Sequence, residues 1–203
     1  MPLVLWVMVG LCALPEAVLQ GADLGLWGAP HWRSLAYGWF GFWPGLLQDW
    51  RPNYRLQPAA MFATYGFLHV GLWHLIVNLV TLWSLGQAVI VRAGQRGFLW
   101  IYMASLLGGA LGFGLLSHTT TPMVGASGAL FGLMGAVLGW SLLDRRRGGL
   151  TLGPVALGAA GLMALNLALW VVSGDQLAWQ THLGGFLAGA VGALWQGRRV
   201  PSA

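Results

Sequence analysis

Residues 123–140 read MVGASGALFGLMGAVLGW. Gly128, Gly132, Gly135 and Gly139 recur at helical spacing, and the stretch holds no charge and a single hydroxyl, Ser127. A stripe of this kind lets a second helix approach the backbone closely, as transmembrane helices do. The rest of the chain has the same character. Of its 203 residues 57% are hydrophobic and only 7% charged, where a soluble domain carries roughly 25% charge. The composition defines an all-α integral membrane protein whose first partner is the lipid bilayer. All ten basic residues are arginines, too few and too scattered to form a nucleic-acid surface. With Cys12 as the single cysteine, no intrachain disulfide can form.

Apolar runs long enough to cross a hydrocarbon core of about 20 residues occur at about 1–19, 60–91, 98–116, 124–143, 150–172 and 178–196. Arginines follow the second run (Arg92, Arg96), the fourth (Arg145, Arg146, Arg147) and the sixth (Arg198, Arg199), whereas 117–123 and 173–179 contain none. The positive-inside rule then puts both termini in the cytoplasm. The absence of a targeting extension makes a bacterial inner membrane the default location. The first run lacks the basic start and small-residue cleavage site of a signal peptide and is expected to be retained. The segment 20–58 lies outside and breaks the rule with Arg33, Arg51 and Arg55. Its density of tryptophan, glycine and proline suits a structured element in the outer leaflet.

Polar side chains inside a membrane are costly and become functional candidates by default. His69, His74 and Asn78 fall in the second run, Ser127 opens the fourth, Asn166 lies in the fifth and His182 in the sixth. The cytoplasmic arginines measure their depth. At 1.5 Å per residue Ser127 stands about 27 Å above Arg145, His182 about 24 Å above Arg198, and His74 and Asn78 about 27 and 21 Å above Arg92. Four polar groups from three helices thus share one layer, and His69 lies nearer the outer surface. Gly185, Gly189 and Gly192 continue the His182 face. If that stripe meets the one on the fourth run, Ser127 and His182 touch. A serine among small residues usually bonds back to a carbonyl, and Asn166 alone reads as a helix-to-helix hydrogen bond. The coincidence of depth, stripes and residue types is what lifts Ser127, His182, Asn78 and His74 out of that background.

Serine becomes nucleophilic when a histidine takes its proton. No carboxylate lies in the layer, so the pair would work without a triad's acid. Acyl transfer also needs donors for an oxyanion. The Asn78 amide, the His74 ring and the Ser127 backbone N–H are of the right types, and Gly125 and Gly128 leave room for substrate. A zinc protease would need a general-base glutamate, yet no glutamate follows Glu16, and no paired intramembrane aspartates exist for an aspartyl protease.

In GASG (125–128), HVGLWHLIVN (69–78) and THLGGFLAG (181–189), the chain resembles the rhomboid intramembrane serine proteases. The resemblance implies one six-transmembrane-helix rhomboid-like bundle over 1–203, with Ser127 as nucleophile, His182 as general base, and Asn78, His74 and Ser127 around the oxyanion. Gly125, Gly128, Phe131 and His69 would be supporting residues, with no metal and no cofactor. It further implies substrates that are single-span membrane proteins, admitted past the fifth helix and the 173–179 loop. Two departures stand out. Phe131 occupies a position where many members have tyrosine, and Trp50-Arg51 lies too far upstream to take the role of the family's first-loop Trp-Arg pair. The alternatives are a catalytically inactive rhomboid-like protein that binds membrane clients, and a small transporter. A transporter would carry polar groups along a path through the membrane rather than in one layer.

Overall fold

The protein is described by a computed structural model covering residues 2–172 and 178–197. Among these residues it is all-helical: α1 (Leu3–Asp23), α2 (Trp32–Phe40), α3 (Gln57–Thr64), α4 (Leu72–Leu116), α5 (Ser127–Arg147), α6 (Gly153–Val172) and α7 (Trp179–Gly197). Large apolar side chains such as Leu3, Trp73, Val91, Leu157 and Met163 remain exposed on the outer faces. That surface is incompatible with water and matches an integral membrane protein.

At 1.5 Å per residue a straight α4 would be about 68 Å long, twice a bilayer core. It is not straight. Gly94 adopts φ 70, ψ 174 and breaks the helix into two apolar halves. A Cβ added to Gly86 would lie 3.3 Å from the Phe98 ring, although twelve residues of straight helix would separate the two by about 18 Å. The chain therefore reverses at Gly94, between the second and third apolar runs.

The run expected at 60–91 is not one helix. α3 ends at Thr64, a 3-10 turn spans Tyr65–Phe67, Leu68 is extended, and α4 begins after Gly71 at φ 83. A run of that length exceeds one crossing, and only its second part forms a full span. His69 consequently precedes the helix that carries His74 and Asn78, which corrects its placement on that helix. The segment 20–58 is folded: it contains α2 and a 3-10 turn at Pro44–Leu47. Phe42 and Met123 exchange both backbone hydrogen bonds at 2.9 Å, forming an antiparallel bridge.

That folded segment is pinned to α1 by charge. The Arg33 guanidinium donates to both carboxylate oxygens of Glu16 (2.9 and 2.8 Å) and to Asp23 (2.6 Å). It also donates to the His69 carbonyl at 2.9 Å, an oxygen that Tyr37 reaches at 2.7 Å. The hydrogen bonds Arg33 donates to Glu16 hold it still more firmly protonated than usual, and burial pushes the Tyr37 hydroxyl up. Two carboxylates neutralise Arg33, so its position need not follow the charge rule.

The core lies where α4, α5 and α7 meet. Ten residues of α5 are buried, and the glycine stripes explain why. A Cβ at Gly185 would overlap the Gly128 carbonyl, one at Gly189 the Gly132 carbonyl, and one at Gly135 the Phe186 carbonyl. Backbone packs on backbone at these points, and α7 also meets α4 through Gly184 and Gly108. Gly192 departs from the expected stripe, since it faces Trp100 of α4 rather than α5.

Candidate active site

Ser127 is the first residue of α5, so its backbone N–H has no acceptor within the helix. The preceding strand-like segment is fixed from two sides. Met123 pairs with Phe42, and the Gly125 N–H donates to the Tyr65 carbonyl at 2.9 Å. Tyr65 is itself anchored through its hydroxyl to the Leu106 carbonyl at 2.8 Å. The start of α5 is therefore held by the segments that carry Phe42 and Tyr65 as well as by its own packing.

The Gly128–Gly185 contact brings the N-terminal ends of α5 and α7 together. His182 Nε2 lies 2.8 Å from Ser127 Oγ. On its other edge, His182 Nδ1 lies 2.7 Å from Asn166 Oδ1 on α6. The Phe131 ring stacks on the imidazole at 4.1 Å between centroids and 5° between planes. Its lack of a hydroxyl leaves the stack intact. Thr181, next to His182, hydrogen-bonds Met123 Sδ.

His74 lies on the opposite side of Gly125. The Val70 N–H donates to His74 Nδ1 at 3.2 Å, so a neutral ring must carry its proton on Nε2. A Cβ on Gly125 would be 2.8 Å from His74 Cε1, and Gly125 has φ 130. Glycine is thus required both by the backbone and by the imidazole's approach. Asn78 is buried one turn below. One of its amide hydrogens goes to the His74 carbonyl at 2.7 Å, and an amide nitrogen has a second to give. His69, expected near the outer surface, is fully buried with its ring edge-on to His74 at 5.2 Å. Burial, with His74 adding to it, pushes the His69 imidazole down to about 3, so it is neutral at physiological pH.

Ser127 and His182 are in direct contact, and Phe131, Gly125, Gly128 and His74 surround them. Asn78 and His69 back up His74 and make no hydrogen bond to Ser127. Asn166 is the site residue whose partner sequence reasoning missed. The same depth count was the available signal: measured from Leu150 it stands about 24 Å up, level with His182. A cavity of about 160 Å³ runs beside it between α5, α6 and α7, lined almost wholly by apolar groups including Met163, Leu183 and Phe186. Of the 173–179 loop, residues 173–177 lie outside the described residues.

A half-buried serine against a buried imidazole, at the positive end of a helix and with N–H donors nearby, is an arrangement suited to acyl transfer. Comparison with known proteins gives the class. A family model described as "Rhomboid domain" matches residues 55–199, and the chain belongs to the rhomboid family. It is similar to "Rhomboid protein 1, mitochondrial" of Saccharomyces cerevisiae, 34% identical over 84% of this chain and 49% of the yeast protein. It is also similar to "Rhomboid protease GlpG" of Yersinia pestis, 29% identical over 97% of this chain and 63% of that protein. Against "Rhomboid protease GluP" of Bacillus subtilis the identity is 42%, over 39% of this chain and 15% of the relative. In each case the chain spans less than two thirds of the relative's length.

Proposed function

We propose that this chain is an intramembrane serine endopeptidase that cuts transmembrane or juxtamembrane segments of single-span membrane proteins. The observation that carries the reading is the 2.8 Å contact between Ser127 Oγ and His182 Nε2. His182 takes the serine proton as Oγ attacks the scissile carbonyl carbon. The negative charge that develops on the carbonyl oxygen meets the Ser127 N–H, favoured by the helix N-terminus, together with His74 Nε2–H and the second Asn78 amide hydrogen. His182 then returns the proton to the leaving amine, and water, deprotonated by the same ring, hydrolyses the acyl-enzyme. None of these steps calls for a metal or a cofactor.

In this reading one domain crosses a bacterial plasma membrane six times, through α1, the two halves of α4, α5, α6 and α7, with both termini cytoplasmic. The arginines beyond the inner ends of these helices support that orientation. Substrate reaches the serine alongside α6, none of whose described side chains is fully buried.

Purified protein in liposomes with a fluorogenic single-span substrate tests the proposal. Wild type cleaves, whereas Ser127→Ala and His182→Ala do not. Cleavage that survives either substitution contradicts the mechanism. Silence of the wild type across a broad substrate panel would favour a rhomboid-like protein that binds clients without cutting them.

A further inference from the structure

Among the described residues no side chain of α6 is fully buried, and some of its large apolar residues are strongly exposed (Leu157 75%, Met163 74%). Even so, α6 sends an amide to the centre of the site. Asn166 Oδ1 lies 2.7 Å from His182 Nδ1, on the edge opposite Ser127. We infer that Asn166 is a positioning residue which fixes His182 in the tautomer able to act as a base, so that α6 completes a Ser127–His182–Asn166 relay. This inference rests on the serine-protease reading.

The argument is one of donors and acceptors. A neutral imidazole carries one ring proton. An amide oxygen can only accept, so its contact with Nδ1 requires the proton to be there. Nε2 then offers its lone pair to the Ser127 hydroxyl, as a general base must. With the amide turned round, its NH2 group would face Nδ1, the ring proton would move to Nε2, and Ser127 would face a donor. No carboxylate among the described residues hydrogen-bonds the ring to enforce the choice, so the amide takes the place an aspartate holds in a triad. The bond also constrains ring rotation, which the Phe131 stack limits in only one plane.

A consequence follows for α6. The acceptor sits on the helix packed most lightly, where Gly158 meets Leu138 and few other groups engage α5. Moving α6 outward withdraws Oδ1 from Nδ1, freeing the tautomer and leaving Ser127 without an oriented base. Return of α6 restores the relay. Position of α6 and competence of the base are therefore coupled through one hydrogen bond.

The test compares wild type with Asn166→Ala, Asn166→Leu and Asn166→Asp in liposomes, reading kcat and KM separately, with Ser127→Ala as control. Asn166→Ala and Asn166→Leu should lose about 10- to 100-fold in kcat with KM and thermal midpoint unchanged. Asn166→Asp keeps an acceptor at Nδ1 and should recover most of the rate. A kcat within twofold of wild type in both Asn166→Ala and Asn166→Leu overturns the inference, as does a loss confined to KM or to stability. So does an Asn166→Asp variant as slow as Asn166→Leu. Cleavage by Ser127→Ala would instead remove the serine-protease reading itself, so the two failures are distinct.

Discussion

α5 and α6 are both apolar helices of near-equal length, yet they are held in opposite ways. α5 buries ten residues and meets α7 through glycines whose backbones touch. Among the described residues α6 has no fully buried side chain and leaves large apolar groups such as Leu157 exposed. Ser127 and His182 lie on the tight seam, whereas Asn166 lies on the loose helix. Parts that must be placed to a fraction of an ångström are built where backbone meets backbone. A part that admits substrate can be built where little is lost by moving.

The comparison breaks most severely at the seam. Gly185→Val would drive a side chain into the Gly128 carbonyl, and it should cost at least about 3 kcal/mol with loss of reaction at Ser127. Thermal unfolding in detergent, with labelling by a fluorophosphonate, checks both. Next comes the outer lock. Glu16 is 1% exposed and Arg33 17%, so Glu16→Ala leaves a largely buried guanidinium with Asp23 as its one remaining carboxylate and should cost about 2–3 kcal/mol after allowance for its exposure. Replacing both residues together should cost less than Glu16→Ala alone.

A smaller effect comes from His69. Its imidazole is depressed from 6.5 to about 3 in the folded state, so below pH 6.5 the unfolded chain binds a proton that the folded chain refuses. Stability from this group is present above pH 6.5 and is lost as pH falls toward 3. At pH 5 the loss is about 2 kcal/mol. The midpoint of His69→Gln should therefore fall less between pH 7 and pH 5 than that of wild type; an equal fall would contradict the burial argument. The smallest effect is expected on the lipid face of α6, where Leu157→Ala should change stability by less than about 0.5 kcal/mol.

The sequence made the seam legible because two simple regularities carry it. Arginines measure depth, glycines mark close approach, and together they bring Ser127 and His182 into one contact. The same regularities do not reach every part. An uninterrupted apolar run hides the change of backbone that takes His69 off the helix, and Gly71 is not distinctive among 32 glycines. The pairing of Arg33 with Glu16 and Asp23 is set by how α2 folds back on α1, which a count of charges does not reveal. Asn166 had the right depth, but no glycine stripe or neighbouring polar residue pointed its side chain at His182. Its partner depends on the rotation of a helix that packs loosely, which periodicity does not specify.

The central claim is that His182 activates Ser127 at the N-terminal end of the α5–α7 seam. Its most direct test is the rate of fluorophosphonate labelling in liposomes, with the modified residue mapped by peptide mass. Label should appear at Ser127 and slow by at least about 100-fold in His182→Ala, with the fold intact by thermal midpoint. Labelling at another residue, or at Ser127 with an undiminished rate in His182→Ala, would contradict the account.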